Sequence, residues 1–516
     1  MKNSLFFFEN YSLGVKGTIL LLICVLCCPG FTASQTSQIG NDIDGEAPVD
    51  QSGIVSISAD GNIVAIGGSR NDGINSDDIG HVRVYGFESG NWTQIGDDID
   101  GEAAEDMSGA SLSLNHDGTI LAIGAGRNAG NGFDSGHVRV YKNNGGNWTQ
   151  IGNDINGEAP NDSSSNGANG GKGLSINSAG NIVAIGAPFN DGSGILQGHI
   201  RVYENINDNW IQIGNDIDGE ANDDLFGASV SLNSDGTIVA VGAHNPFDFR
   251  GYVKVFENVS GNWVQIGNTL TGVTNEEAFG WSVDINANGN VIAIGAPLAD
   301  ENGTFSGKVQ VFENISGNWT QIGDDINGEA VNNALGYSVS LNASGTVIAT
   351  GATGASSSDG STEQSGLVRL FQNVSGSWVQ LKNGIHGEAS FDQSGHSVSI
   401  NDDGTKIAVG SPGNDGNGMN SGQVRVYAAS LLDVEDAGTG IDTIQIFPNP
   451  TTGFINIEVP ESIKIKDITL FDTLGRVFLN LEITDNSIDL SALSSGVYYL
   501  QLNTINETLT EKIIKN

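Results

Sequence analysis

The chain has 516 residues, with 61 Asp and Glu against 21 Lys and Arg, for a formal net charge of −40. An acidic surplus of that size excludes a protein that neutralises nucleic-acid phosphates, and equally a polybasic binder of membrane surfaces. Glycine, at 73 residues, is about twice its ordinary share. The 38% of hydrophobic residues, many of them Val and Ile in short runs, are enough to build packed cores.

Residues 1–34 read as a secretory signal peptide. Lys2 and Lys16 precede an apolar run over residues 17–28, which is too short to span a bilayer. Thr32, Ala33 and Ser34 then supply the small residues of a cleavage site. Cys24, Cys27 and Cys28 are the three cysteines, and all lie in this segment. The exported chain is therefore expected to have no disulfide and no thiol chemistry.

Residues 35–430 are built on one repeating unit. Gln-Ile-Gly or a close variant begins at Gln38, Gln94, Gln150, Gln212, Gln265, Gln321 and Gln380, at spacings of 53 to 62 residues. Each unit holds four strand-like runs; in the second unit they cover residues 92–95, 110–114, 119–123 and 137–141. Runs two and four alternate with period 2, and run three is almost continuously apolar, as a central strand covered on both faces would be. Two-residue turns such as Asp60-Gly61, Asp117-Gly118 and Asp235-Gly236 join runs two and three. Four antiparallel strands repeated seven times predict an all-β, seven-bladed β-propeller. The seventh unit ends at Tyr427 without an outer strand, while residues 37–40 have no unit of their own. We expect them to close the ring.

The segment Ala278-Phe-Gly-Trp-Ser-Val283 leads into Asn290-Val-Ile-Ala-Ile-Gly-Ala-Pro297, with echoes at Phe226-Gly227 and Gly186-Ala187-Pro188. This resembles the FG-GAP repeat of integrin α-chain propellers and of many bacterial surface proteins. Calcium-binding members of that family carry an Asp-rich loop before the Gly-Ala-Pro strand. Here that place holds only a tight turn, such as Asn233-Ser-Asp-Gly236, with no room for a cage of six or more oxygens. The family's calcium loop therefore does not carry over.

In an up-and-down sheet the loops from run one to run two and from run three to run four emerge on one face. These long loops carry 36 of the 61 acidic residues. Three uses compete. The acids can form a solvated surface and serve turns. They can hold a divalent cation such as calcium, with candidates Asp97, Asp98 and Asp100 with Glu102, or Asp72 with Asp77 and Asp78. They can also receive a cationic partner. His81, His137 and His199 share one slot of the fourth run, which points to a structural role. Trp92, Trp148, Trp210, Trp263, Trp319 and Trp378 open the first run and are expected between blades. Trp281 sits in a different slot. No nucleophile–base constellation is present, so no catalytic residue is assigned.

Residues 431–441 read as a linker, and residues 442–516 abandon the repeat. Short strands and turns there predict a small, Ig-like β-sandwich. Its phrases carry Pro448, Asn449, Pro450 and Gly453, then Gly475 and Arg476, then Gly496 and Tyr498. Their order closely resembles the C-terminal sorting domain of type IX secretion cargo in Bacteroidetes. The resemblance implies the type IX machinery as a partner, passage through the outer membrane, and removal of the module with release or surface attachment. The expectation is a secreted or cell-surface binding or adhesion propeller with an extracellular ligand, glycan or protein. The alternative is an extracellular polysaccharide-degrading enzyme.

Overall fold

A computed structural model describes residues 37–429, apart from 74–77, 166–171, 193, 246, 248–250, 275, 358–360 and 382–383. It also describes residues 445–516, apart from 448–450, 459–464, 473–475, 481–486, 492 and 505–507. The signal peptide and linker expectations lie outside the described residues.

Seven antiparallel sheets repeat one plan. In blade 1 the order from inside to outside is Ile54–Ile57, Ile63–Gly68, His81–Glu88 and Asn91–Gln94. Blade 7 takes its outer strand from the other end of the chain. Ser37 and Gln38 pair with Ala428 and Tyr427, and Ile43 pairs with Val424. The outer strand of each blade is longer than the sequence suggested. After a break at Gly96 the chain returns to the same ladder at Ile99–Asp100, where Ile99 pairs with Val82. Burial of Ile99 draws back to the sheet a phrase that reads as loop.

The second strand, Ile-Val-Ala-Ile-Gly in blade 3, is buried along nearly its whole length. It lies against the next blade so closely that a Cβ on Gly186 would collide with the carbonyl oxygen of Gly227, itself at φ +94°. This contact explains both glycines of the FG-GAP phrase.

The tight turns differ from the expected two-residue hairpins. Asn115 N–H donates to Ile120 O and Gly118 N–H to Asn115 O, so the loop holds four residues. Of its Asp-Gly pair only Gly118 has a positive φ. The added length carries a backbone group to the ring axis. Ala59 N–H donates to His116 O, His116 to Ser178, Ser178 to Ser234, Ser234 to Ala287, Ala287 to Ala343, Ala343 to Asp402, and Asp402 back to Ala59, at 2.9–3.3 Å. The circle is closed and crosses every blade junction.

A second circle lies beside it. Each innermost strand is a sheet edge with N–H groups that face the neighbouring blade. Leu114 N–H donates to Ser56 Oγ, Ile176 to Ser113, Leu232 to Ser175, Ile285 to Ser231, Ile400 to Ser340 and Ile57 to Ser399, while Leu341 uses Asp284 Oδ2. Toward the rim, Trp92 Nε1 donates to Ile39 O at 2.8 Å, and the five other repeat tryptophans do the same across their junctions.

The C-terminal module has two sheets. Gln445–Phe447, Phe454–Glu458 and Ser487–Asp489 form one; Val477–Asn480, Ile465–Asp472, Gly496–Thr504 and Thr508–Lys515 form the other. Ile455, Ile457, Leu470, Leu500 and Leu502 pack between them, as a sandwich requires.

Replacing Ser340 with Ala leaves the buried Ile400 N–H without its acceptor. The expected cost is about 1–3 kcal/mol, read as a lower midpoint in urea with an unchanged slope; an unchanged midpoint would mean that the serine circle carries no stability.

Candidate functional site on the loop face

The long loops of each blade do meet on one face, and parallel bridges such as Gly80 to Ser108 and Gly136 to Ser164 tie them across junctions. Their acids divide into three groups. Asp50, Asp106, Asp162 and Asp392 are buried. Asp50, Asp106 and Asp392 each accept two backbone N–H groups of the Glu-Ala phrase four and three residues earlier, as Asp106 does from Glu102 and Ala103, and Asp162 accepts that of Ala159. These four are turn anchors.

The second group converges on the histidine slot. In blade 1, His81 Nδ1 lies 3.6 Å from Asp98 Oδ2 of its own blade and 3.9 Å from Glu46 Oε2 of the preceding one. In blade 2, Glu102, His137 and Asp154 meet the same way, and in blade 3 Glu158, His199 and Asp216 do. Within each trio the candidate ligand atoms all lie within 4.8 Å of one another. The imidazoles are buried and the carboxylates open toward the loop face. The repeated Gln-Ile-Gly phrase has a job here: Gln94 Nε2 donates to Asp98 Oδ1 at 2.6 Å, and Gln150 and Gln212 do the same for Asp154 and Asp216. That bond leaves the other carboxylate oxygen facing the imidazole. His81 and Gln94 together hold the Asp98 pKa down to about 2. Burial pulls His137 down to about 4 and lowers His199 too.

A permanent cation accompanies each trio. Arg83 lies over the Tyr85 ring, donates to Asp44 O at 2.8 Å and places Nη1 3.7 Å from Glu46. Arg139 and Arg201 repeat this. The remaining blades fill the histidine slot differently. Blade 4 has Tyr252, bonded to Asp224, with Lys254 pairing Glu220. Blade 6 has Leu367 and blade 7 has Gln423, which reaches Asp42 and Asp44. In blade 5 the slot holds Lys308, buried, with Nζ 3.0 Å from Glu277 and 2.7 Å from Glu301.

The sequence candidates are therefore regrouped. Asp98 and Glu102 belong to different junctions, because a blade boundary runs between them. Asp97 and Asp100 are exposed, and Asp100 contributes its carbonyl to Arg139. Asp72 accepts a hydrogen bond from the Asp78 N–H at 3.3 Å, and Asp77 lies outside the described residues. The histidine trios were missed as sites. Their signal was the fixed spacing of His81, His137 and His199 to an aspartate seventeen residues later. The glutamate comes from the preceding unit.

The third group is exposed and shares the face with apolar tips. Phe133, Phe247, Phe305 and Phe391 are 67%, 73%, 44% and 53% exposed. Phe305 and Phe391 adopt φ of 55° and 69°, a left-handed conformation that is strained for a bulky residue. Above the blade 3 trio a cleft of about 790 Å³ opens, walled by Pro160, Phe189 and Leu196 as well as by the trio itself. At the axis, His244, Trp281, Tyr337 and His396 form a row of rings with centroids 4.9, 5.5 and 5.1 Å apart. Trp281, the odd tryptophan, is thus part of an axial plug. Burial lowers His244 and His396 to about 4 and raises Tyr337 to about 12.

In the C-terminal module Pro448, Asn449, Pro450 and Gly475 lie outside the described residues. Gly453 is buried and its N–H donates to Thr451 Oγ1. Arg476 is exposed, Gly496 pairs with Lys515, and the buried Tyr498 donates its hydroxyl to Ser494 O. Gly453, Gly496 and Tyr498 thus shape turns and strand ends of the sandwich.

The ring of sheets and its glycine contacts define a β-propeller built on FG-GAP-type units, and residues 272–312 and 387–427 match the FG-GAP repeat family. Residues 445–516 match the secretion system C-terminal sorting domain. Two units of the ring thus match the FG-GAP repeat, and the C-terminal match to the sorting domain indicates secretion and cell-surface attachment through the type IX system. Beta-agarase D of Zobellia galactanivorans is 27% identical over 96 residues, 18% of this chain and 20% of the agarase. The chain thus spans about a fifth of that relative's length. Among solved structures, Kuenenia stuttgartiensis hydrazine synthase is similar at 12% identity and TM-score 0.48, over 76% of this chain and 99% of that one. PorZ, a surface component of the type IX system of Porphyromonas gingivalis, is similar at 11% identity and TM-score 0.42, over 93% of this chain and 61% of that one. Among the described residues no helix is long and apolar enough to cross a membrane.

His244 and His396 bind protons more weakly folded than unfolded. Their contribution to stability is complete above about pH 6.5 and is lost as pH falls toward 4. The melting temperature should drop across that window, and the double variant His244→Phe, His396→Phe should show a shallower drop; an equal slope in both proteins would contradict the assignment.

Proposed function

We propose that the loop face is a ligand-binding surface and that the protein serves binding or adhesion at the cell surface rather than catalysis. The exposed phenylalanines carry this reading. Large apolar groups exposed at loop tips on one face of the ring, two of them at a strained positive φ, cost stability, and strain of this kind concentrates at ligand-contacting sites. The surrounding carboxylates repel polyanions. The ligand class that suits such a face is a neutral glycan, whose sugar rings offer apolar faces to aromatic side chains. A second reading, polysaccharide degradation, draws on the likeness to beta-agarase D over 96 residues.

A glycan array with hydrolysis assayed in parallel separates the two. Binding to neutral glycans without turnover is expected, weakened about tenfold or more in the variant Phe133→Ala, Phe305→Ala, Phe391→Ala, since that loss is about 1.4 kcal/mol or more. Turnover without stable binding would favour the enzyme, and unchanged binding in the variant would remove the phenylalanines from the surface. For export, deleting residues 442–516 should leave a folded propeller in the periplasm, detected by fractionation; normal appearance outside the cell would refute the sorting role.

A further inference from the structure

We propose that the three His–Asp–Glu trios are binding sites for a divalent transition-metal ion such as Zn²⁺, one at each of three successive blade junctions. This goes beyond the glycan reading and does not depend on it.

The geometry of the imidazoles points to a ligand between the groups. His137 is 1% exposed, and neither of its ring nitrogens has a hydrogen-bond partner. Its Nδ1 faces Asp154 Oδ2 at 3.9 Å. That distance is too long for a hydrogen bond. It suits two ligands of a common ion, which at bond lengths of ~2.1 Å stand roughly 3–4 Å apart. His81 places Nδ1 3.6 Å from Asp98 and 3.9 Å from Glu46, and its Nε2 has no hydrogen-bond partner. An ion would enter from the open carboxylate side. Burial of the imidazole fixes one ligand in place, and the Gln94, Gln150 and Gln212 amides orient the carboxylates from behind, as outer-shell partners do at metal sites.

Blade 5 supplies an internal comparison. There the same slot holds Lys308, whose ammonium lies among Glu277 and Glu301. Those carboxylates are not the trio positions, which hold Val273 and Asp325 in this unit, so the junction that lacks the glutamate of the trio carries a tethered cation in the histidine slot. The donor set also selects the ion. One imidazole nitrogen with two carboxylates suits zinc and its neighbours, whereas calcium takes oxygen ligands alone. This distinguishes the trios from any calcium site of the all-oxygen kind. The blade 3 site differs from the others in opening into the 790 Å³ cleft, where the ion would have room for a further, exogenous ligand.

The test uses the whole secreted chain, stripped with a chelator and titrated with Zn²⁺ in the presence of millimolar Ca²⁺. Three equivalents are expected from the three trios. Each single variant, His81→Gln, His137→Gln or His199→Gln, should lose one, and the triple variant all three. Glutamine occupies this slot naturally in blade 7, so the variants should fold; a melt of each verifies it. With Co²⁺ in place of Zn²⁺, ligand-field absorption should appear in the wild type and vanish in the triple variant. Equal stoichiometry in the wild type and triple variant would assign the zinc to surface carboxylates and overturn the proposal. No zinc bound by the wild type, or complete displacement by calcium, would overturn it as well.

Discussion

Every blade of this protein presents an inner sheet edge, and an edge strand carries N–H groups that must find acceptors. The structure solves this once per junction, with a serine or aspartate oxygen from one blade and a backbone carbonyl from a turn. Because the blades form a ring, the solutions join into circles that close on themselves. The turn circle runs through Ala59, His116, Ser178, Ser234, Ala287, Ala343 and Asp402 without a gap. Such a circle needs all seven blades in place. It therefore depends on the N-terminal strand at Ser37–Gln38, which completes the seventh blade.

The same seven junctions organise the loop face. At all but the blade 6 junction, where the slot holds Leu367, the third strand brings a polar side chain to the boundary, and the preceding blade brings acidic groups against it. The slot holds histidine, tyrosine, lysine, leucine or glutamine in different blades, within the same surrounding frame. Arg83, Arg139, Arg201, Arg369 and Arg425 each donate to a carbonyl of the preceding blade. In blade 5 the arginine position is Gln310 and the cation has moved two residues along to Lys308. A cation is thus kept beside the carboxylates of these junctions, which limits the repulsion among the acidic loops.

Much of the architecture was legible in the repeat. The Gln-Ile-Gly spacing, the alternation of runs two and four, and the apolar third run all reported the blade, and the unpartnered residues 37–40 reported its closure. Two local features were not. The return of Ile99 to the ladder was hidden because Asp-Ile-Asp-Gly is turn-like in composition, yet a single buried isoleucine outweighs that preference. The four-residue turns were hidden because Asp-Gly also ends longer loops. Their length is explained only by the carbonyl and N–H that they deliver to the axis.

The acid count and its assignment to one face followed from the sequence, since strand order determines the side on which each loop emerges. Which acids act together did not follow. Asp98 and Glu102 are neighbours along the chain and look like one cluster, but the blade boundary sends one to His81 and the other to His137. Partners at a junction come from two units, and sequence distance within a unit says nothing about them. The sequence by itself determined the unit, its number and the face that carries its charge. Only the tertiary structure decided the trios, the axial row around Trp281 and the aromatic tips, because each arises from contacts between blades, and those contacts exist only when the ring is closed.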